Sequence, residues 1–164
     1  MLLTRLPASS IGAILLVWFQ VLSVNAEDIE GGYDVGVHYD KAEVMIPMRD
    51  GVELFTAIYT PKQRTEQYPI LLYRTPYSIG NYGSKTYPTA KAMAPSAEMV
   101  EDGYIFVYQD LRGTYKSEGN FEITRVNREP QDGPLATDES TDAYDTIDWL
   151  INNIDGHSGR VGQW

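Results

Sequence analysis

The sequence predicts an α/β domain in which an antiparallel hairpin leads into a mostly parallel sheet, and three observations predict it. Asp50-Gly51 separates two apolar runs, at 43–46 and 52–59, which is a hairpin signal. Residues 68–73 and 104–108 are short continuous apolar runs of the kind that form strands buried on both faces. A helix-like segment follows each of them, so strand and helix alternate after the hairpin. That alternation implies parallel strands with helices on both sides of the sheet.

From the N-terminus, residues 1–26 read as a secretory signal peptide. Arg5 supplies the positive charge and residues 11–19 the apolar run, and Val24-Asn25-Ala26 offers the small or medium residues of a cleavage site after Ala26. The apolar run is short for a bilayer span, with an uncleaved membrane anchor as the alternative. Residues 27–42 are Gly- and Asp-rich without a period and read as a surface lead-in.

The hairpin follows, with Gly51 taking the positive φ of a type I′ turn. Thr60-Pro61 ends its second strand, because Pro cannot donate to a ladder. Polar residues 62–67 lead into the 68–73 strand, and residues 78–88, with Gly80, Gly83 and Pro88, make a long loop after it. Residues 90–100 set Ala94, Ala97 and Val100 at helical spacing around Pro95, with Gly103 as the stop. The 104–108 strand turns at 109–113 into an irregular excursion that lasts to Pro134.

Residues 138–153 are the clearest helix. Ala143, Ile147, Leu150, Ile151 and Ile154 form one apolar face. Asp138, Glu139, Asp142 and Asp145 crowd the end where the helix dipole favours negative charge. Asp142, Asp145 and Asp148 read as a solvated face rather than a calcium site. Gly156 and Gly159 end the helix, and a last strand starts at Arg160-Val161.

Composition excludes several functions. The 164 residues include 13 Lys plus Arg against 23 Asp plus Glu, a net charge of -10. That balance argues against nucleic-acid binding and against stable association with an anionic membrane after signal cleavage. There is no cysteine, so disulfides and thiolate metal sites are excluded. An exported domain without disulfides depends on its core, which suits a secreted or periplasmic enzyme.

In parallel sheets the reacting groups collect at the carboxyl ends of the strands. Residues 74–77, residues 109–113 and whatever follows Trp164 are therefore the candidate site. Asp110 and Arg112 stand on its edge, either touching substrate or forming a charge pair that pins the turn. Ser117 is not a nucleophile elbow, since Tyr115 stands where a Gly is needed and no strand leads into it. His157 and Ser158 are adjacent, which prevents their acting as a triad pair. His38 belongs to the lead-in. Two histidines without cysteine give no support for a metal site, and no cofactor is implied.

Five blocks carry a family resemblance: Val44-Met-Ile-Pro-Met-Arg-Asp-Gly-Val-Glu-Leu54, Arg74-Thr-Pro-Tyr77, Gln109-Asp-Leu-Arg-Gly113 with Ser117-Glu-Gly119, Thr141-Asp-Ala-Tyr-Asp-Thr-Ile-Asp-Trp149, and Gly159-Arg-Val-Gly162. In this order they resemble the cocaine esterase and α-amino acid ester hydrolase family, within the X-prolyl dipeptidyl peptidase-like α/β-hydrolases. The resemblance implies that residues 43–164 are the N-terminal half of an α/β-hydrolase fold. It also implies a Gly-x-Ser-Tyr-x-Gly nucleophile elbow soon after the last block, with the Asp and His of the triad far beyond it. The Tyr of the Arg-x-Pro-Tyr turn donates its hydroxyl to the oxyanion in that family, and Tyr77 holds this position.

The expectation is an exported serine hydrolase of esters or amides, of the α-amino acid ester hydrolase or dipeptidyl peptidase type. Its substrate would be a small ester, amide or peptide, and a homo-oligomer is left open for the full-length protein. The chain as it stands, ending before the elbow, is expected to be inactive. The alternative from another class is a secreted non-catalytic binding module or pseudoenzyme.

Overall fold

Strands form where the apolar runs were expected, and they pair into one five-stranded sheet. The structure is a computed structural model that describes residues 32–63, 65–123 and 127–164. The signal peptide expected at 1–26 and the lead-in as far as residue 31 lie outside the described residues.

The described chain opens with a single helical turn, α1 (Val35–His38), capped by Asp34, whose carboxylate accepts from Gly36 N at 2.9 Å. Next come β1 (Tyr39–Pro47), β2 (Glu53–Pro61) and β3 (Tyr68–Thr75). Two short helices follow, α2 (Ala90–Met93) and α3 (Ala97–Glu101), then β4 (Ile105–Asp110). A 3-10 turn (Pro130–Asp132), α4 (Glu139–Asn153) and β5 (His157–Gln163) complete it.

The sheet order is β1-β2-β4-β3-β5. β1 with β2 and β2 with β4 are antiparallel, whereas β4 with β3 and β3 with β5 are parallel. This is the α/β architecture that the alternation of elements predicts.

Each face of the sheet buries its own core. Ile46, Leu54, Ile58, Ile70, Leu72, Ile105 and Val107 meet Leu150 of α4 on one side. On the other, Tyr39, Ala57, Tyr59 and Phe106 pack with Val35, Ala90, Met93 and Val100 of α1, α2 and α3. Each such side chain of Val size or larger contributes about 1.5–3 kcal/mol by leaving water.

Several local expectations are corrected. Met48 O accepts from Gly51 N at 2.9 Å and Val52 O from Met48 N at 2.8 Å, so the hairpin closes through a three-residue loop. Only Gly51, at φ 86°, takes the left-handed conformation there. A type I turn followed by a left-handed Gly satisfies this pattern, whereas type I′ needs positive φ at both central residues.

The lead-in is not all surface. β1 begins at Tyr39, ahead of the expected residue 43, because Val35 and Tyr39 are buried and the Tyr39 hydroxyl donates to Val100 O at 2.8 Å. His38 stacks on Tyr33 with ring centroids 4.4 Å apart. The helix expected over 90–100 is two pieces, since Pro95 stands between α2 and α3. β5 starts at His157, whose Nε2 donates to Ile151 O and whose Nδ1 accepts from Gly159 N, both at 3.0 Å.

The largest correction is on α4. Asp138 caps it in a reciprocal box with Thr141, each backbone N–H reaching the other's side chain at 2.7 Å. Its buried residues are Thr141, Asp142, Thr146 and Leu150, so most of the buried stripe is polar. Asp142 is fully buried and Asp145 ion-pairs with Arg49 at 2.6 Å, and only Asp148 of the three is exposed.

Candidate active site

The carboxyl ends of β3, β4 and β5 lie side by side, as the candidate site requires. Thr75 pairs with Asp110 across β3 and β4, and Leu72 with Gln163 across β3 and β5. Leu111 N donates to Thr75 O at 3.1 Å, and Trp164 N to Leu72 O at 3.4 Å, which extends both ladders to the edge. The Trp164 ring packs against Tyr73 and Tyr108 at 5.4 and 5.9 Å between centroids.

Tyr77 stands on a tight turn at the end of β3. The buried Thr75 hydroxyl accepts from Tyr77 N at 3.1 Å across Pro76, a local hydroxyl-to-backbone turn. The Tyr77 side chain is 83% exposed, and among the described residues nothing hydrogen-bonds its hydroxyl. An anchored backbone thus presents a free phenol.

The loop beyond it is fastened at two further points. Asp110, fully buried at the end of β4, accepts from Ile79 N at 3.0 Å and from the Tyr82 hydroxyl at 2.9 Å. Lys41 of β1 reaches under the loop and donates to the carbonyls of Asn81, Gly83 (2.9 Å) and Thr86 (3.1 Å). Glu43 accepts from Lys41 at 2.9 Å and from Gly83 N at 2.6 Å. Burial opposes the charge on Glu43, but these donors outweigh it and lower its pKa.

Asp110 and Arg112 do not pair with each other. Arg112 is buried between two other carboxylates, with Nη1 2.7 Å from Asp50 and Nη2 2.6 Å from Asp142. Burial works against its charge, yet the hydrogen bonds and attraction of Asp142 and Asp50 prevail and raise its pKa. Ser117 has a structural role: its hydroxyl donates to Asp110 O at 2.6 Å and accepts from Phe55 N at 2.9 Å. The first part of the excursion after β4 therefore runs ordered beside β2.

Gln109, for which the sequence motif suggests no role, is fully buried. Its Nε2 donates to Thr56 at 3.0 Å and Thr146 at 2.9 Å, and its Oε1 accepts from Arg74 Nε at 2.8 Å. Arg74 Nη1 in turn donates to Glu139 O at 3.0 Å. Arg74 is thus directed toward the start of α4, beside a cavity of about 380 Å³ lined also by Leu111, Ala143 and Gln163.

Comparison with known proteins decides the family. The model of the X-Pro dipeptidyl-peptidase (S15) family matches residues 50–164. The chain belongs to this family. Over 136 residues it is 33% identical to the cocaine esterase of Rhodococcus sp. (strain MB1 Bresler), covering 82% of this chain and 20% of the esterase. A solved α-amino acid ester hydrolase superposes with a TM-score of 0.64 at 44% identity, covering 86% of this chain and 24% of that one. An aminopeptidase from the marine sediment archaeon Thaumarchaeota archaeon gives a TM-score of 0.57 at 40% identity, covering 77% and 21%.

This S15 chain therefore matches the N-terminal part of an α/β-hydrolase-like fold and spans about a fifth to a quarter of the relatives' length. Within it, the Arg74-to-Tyr77 turn and the Gln109-to-Gly113 turn are neighbours, each held by residues distant in sequence. A signal for two of those partners was present: Thr146 lies four residues after Asp142, placing both on one helix face.

Proposed function

We propose that this chain supplies the leading part of an exported serine hydrolase that cleaves small esters, amides or peptides by acyl transfer, with Tyr77 as an oxyanion donor. The observation that carries the reading is the exposed Tyr77 phenol on a turn anchored at Thr75 and Asp110, directly after β3, the strand that pairs with β5. A serine delivered just past Trp164 would attack the substrate carbonyl and pass its proton to a histidine. Tyr77 would donate its O–H to the oxygen as negative charge develops there. A neutral donor held in place favours that transition state over the ground state.

The membership in the S15 family and the 44% identity to an α-amino acid ester hydrolase support this chemistry. On this reading the nucleophile and the rest of the triad follow Trp164, and the chain alone hydrolyses nothing. Export rests on the signal-peptide pattern, and the exported protein should begin at Glu27 when its N-terminus is sequenced.

The deciding experiment is Tyr77→Phe in the complete hydrolase, assayed on a chromogenic α-amino acid ester and an X-Pro amide. Turnover should fall on the order of 10²–10³-fold with little change in KM. Unchanged turnover would remove Tyr77 from the mechanism. Hydrolysis by the chain alone at a rate near that of the complete enzyme would overturn the division of the site.

A further inference from the structure

We infer that Asp110 is a positioning residue for Tyr77: its buried carboxylate ties down the segment that carries the phenol and so sets where the hydroxyl points. The inference rests on the oxyanion reading of Tyr77 and adds to it the device that aims the group.

Asp110 sits at the last position of β4, opposite Thr75, with no exposed surface. Among the described residues, its carboxylate accepts hydrogen bonds from three partners. Oδ1 takes Ile79 N at 3.0 Å, Oδ2 takes the Tyr82 hydroxyl at 2.9 Å, and Lys116 N approaches Oδ2 at 3.4 Å. Tyr77 is therefore bracketed, its own N–H on the Thr75 hydroxyl and the N–H two residues later on Asp110. Tyr82 extends the hold, since its hydroxyl also contacts Ser78 Oγ at 3.0 Å.

Backbone strain collects around the same carboxylate. Among the described residues, the non-glycine positions with positive φ are Ser78 (74°), Asn81 (47°) and Tyr115 (46°). Ser78 and Asn81 lie in the loop that Asp110 anchors, and Tyr115 directly precedes Lys116, whose N–H the Asp110 carboxylate accepts. Such conformations persist only where the surroundings over-determine them, and they collect where geometry matters to function. Asp110 provides that constraint on both sides. Lys116 completes the arrangement by laying its ammonium 4.5 Å from the Tyr82 ring centroid.

The test is a double-mutant cycle in the complete hydrolase. Asp110→Asn preserves size but replaces one accepting oxygen with an N–H₂, which opposes the Lys116 N–H and forces the Tyr82 hydroxyl to accept where it had donated. A displacement of about 1 Å at a reacting group can cost about 10²-fold, so kcat should fall about 10- to 100-fold while KM stays within about twofold. In a Tyr77→Phe background the same substitution should change kcat by less than about twofold, because its effect runs through the missing hydroxyl. Hydrogen exchange at the Ile79 amide should quicken in the single variant.

An Asp110→Asn loss that is equal in both backgrounds, or no loss when Tyr77→Phe alone is impaired, overturns the inference and leaves the oxyanion reading intact. If Tyr77→Phe is silent, the oxyanion reading fails and this inference fails with it. Should Asp110→Asn not fold, Tyr82→Phe removes a single hydroxyl from the same carboxylate and carries the cycle with a smaller, few-fold loss.

Discussion

Arg112 Nη2 donates to Asp142 Oδ1 at 2.6 Å, and Asp142 has no exposed surface. Since Arg112 also holds Asp50 at 2.7 Å, one guanidinium joins the hairpin turn, the turn after β4 and the first turn of α4. Removing Asp142 leaves the buried Arg112 with Asp50 as its carboxylate, and the lost charge-assisted hydrogen bonds cost about 1.5–3 kcal/mol. Asp142→Ala should lower the stability of the folded chain by that amount in urea unfolding. A loss below about 1 kcal/mol would show that Arg112 finds compensation elsewhere.

Acid should destabilise the chain, and the sign follows from its carboxylates. Burial opposes the charge on Asp50 and Asp145, but the Arg112 and Arg49 hydrogen bonds respectively outweigh it and hold both below their ordinary 3.8. Asp138 is lowered as well, first by the Arg128 N–H. A group depressed in the folded state contributes stability above its unfolded pKa and loses it as pH falls through the folded one. Unfolding free energy should therefore be nearly flat from pH 7 to about 4.5 and drop below that. Asp145→Asn should be less stable than wild type at pH 7, with the gap narrowing below about pH 4. A constant gap across that range would exclude Asp145 as a source of the acid sensitivity.

The order of elements along the chain, the hairpin and α4 were legible because each rests on a local pattern: Asp50-Gly51 between apolar runs, continuous runs at 68–73 and 104–108, apolar spacing from Ala143 to Ile154. The polar part of the buried stripe on α4 was not. Periodicity weighs apolar residues, whereas burial of Asp142 and Thr146 depends on Arg112 and Gln109, which lie more than a helix length away in sequence. The site divides in the same way. Tyr77 is visible in its motif, but that Asp110 holds Ile79 and Tyr82 instead of Arg112 is fixed by how β3 and β4 pair. The early start of β1 was hidden for a related reason, since Tyr39 is buried through its contact with α3.

Gly113 should tolerate no side chain. Its φ is 71°, and a Cβ there would stand 2.1 Å from Phe121 N and 2.3 Å from Asn120 C. Those are backbone atoms, so relief requires moving the chain that Ser117 and Glu118 hold against β2. Gly113→Ala should cost more than about 2 kcal/mol, combining strain with a steric clash. Gly51→Ala has the positive φ but nothing within 4 Å, so it should cost only about 1 kcal/mol. Equal losses in thermal unfolding would mean that the close approach at Gly113 is relieved without cost.

Gln109 and Thr146 should be strongly non-additive. The Gln109 amide donates to the Thr146 hydroxyl at 2.9 Å, and that hydroxyl donates in turn to Asp142 O at 2.7 Å. Gln109→Leu deprives Thr56, Thr146 and Arg74 of a shared partner inside the fold and should cost about 2–3 kcal/mol. Thr146→Val keeps the shape but leaves the Gln109 N–H with one fewer acceptor, at about 1–2 kcal/mol. The double variant removes both ends of the bond, and replacing both partners by apolar groups is far cheaper than orphaning one. Its loss should fall short of the sum by about 1 kcal/mol or more in urea unfolding. Strict additivity would mean that each residue acts through separate neighbours, and the amide would then not be what couples α4 to the end of β4.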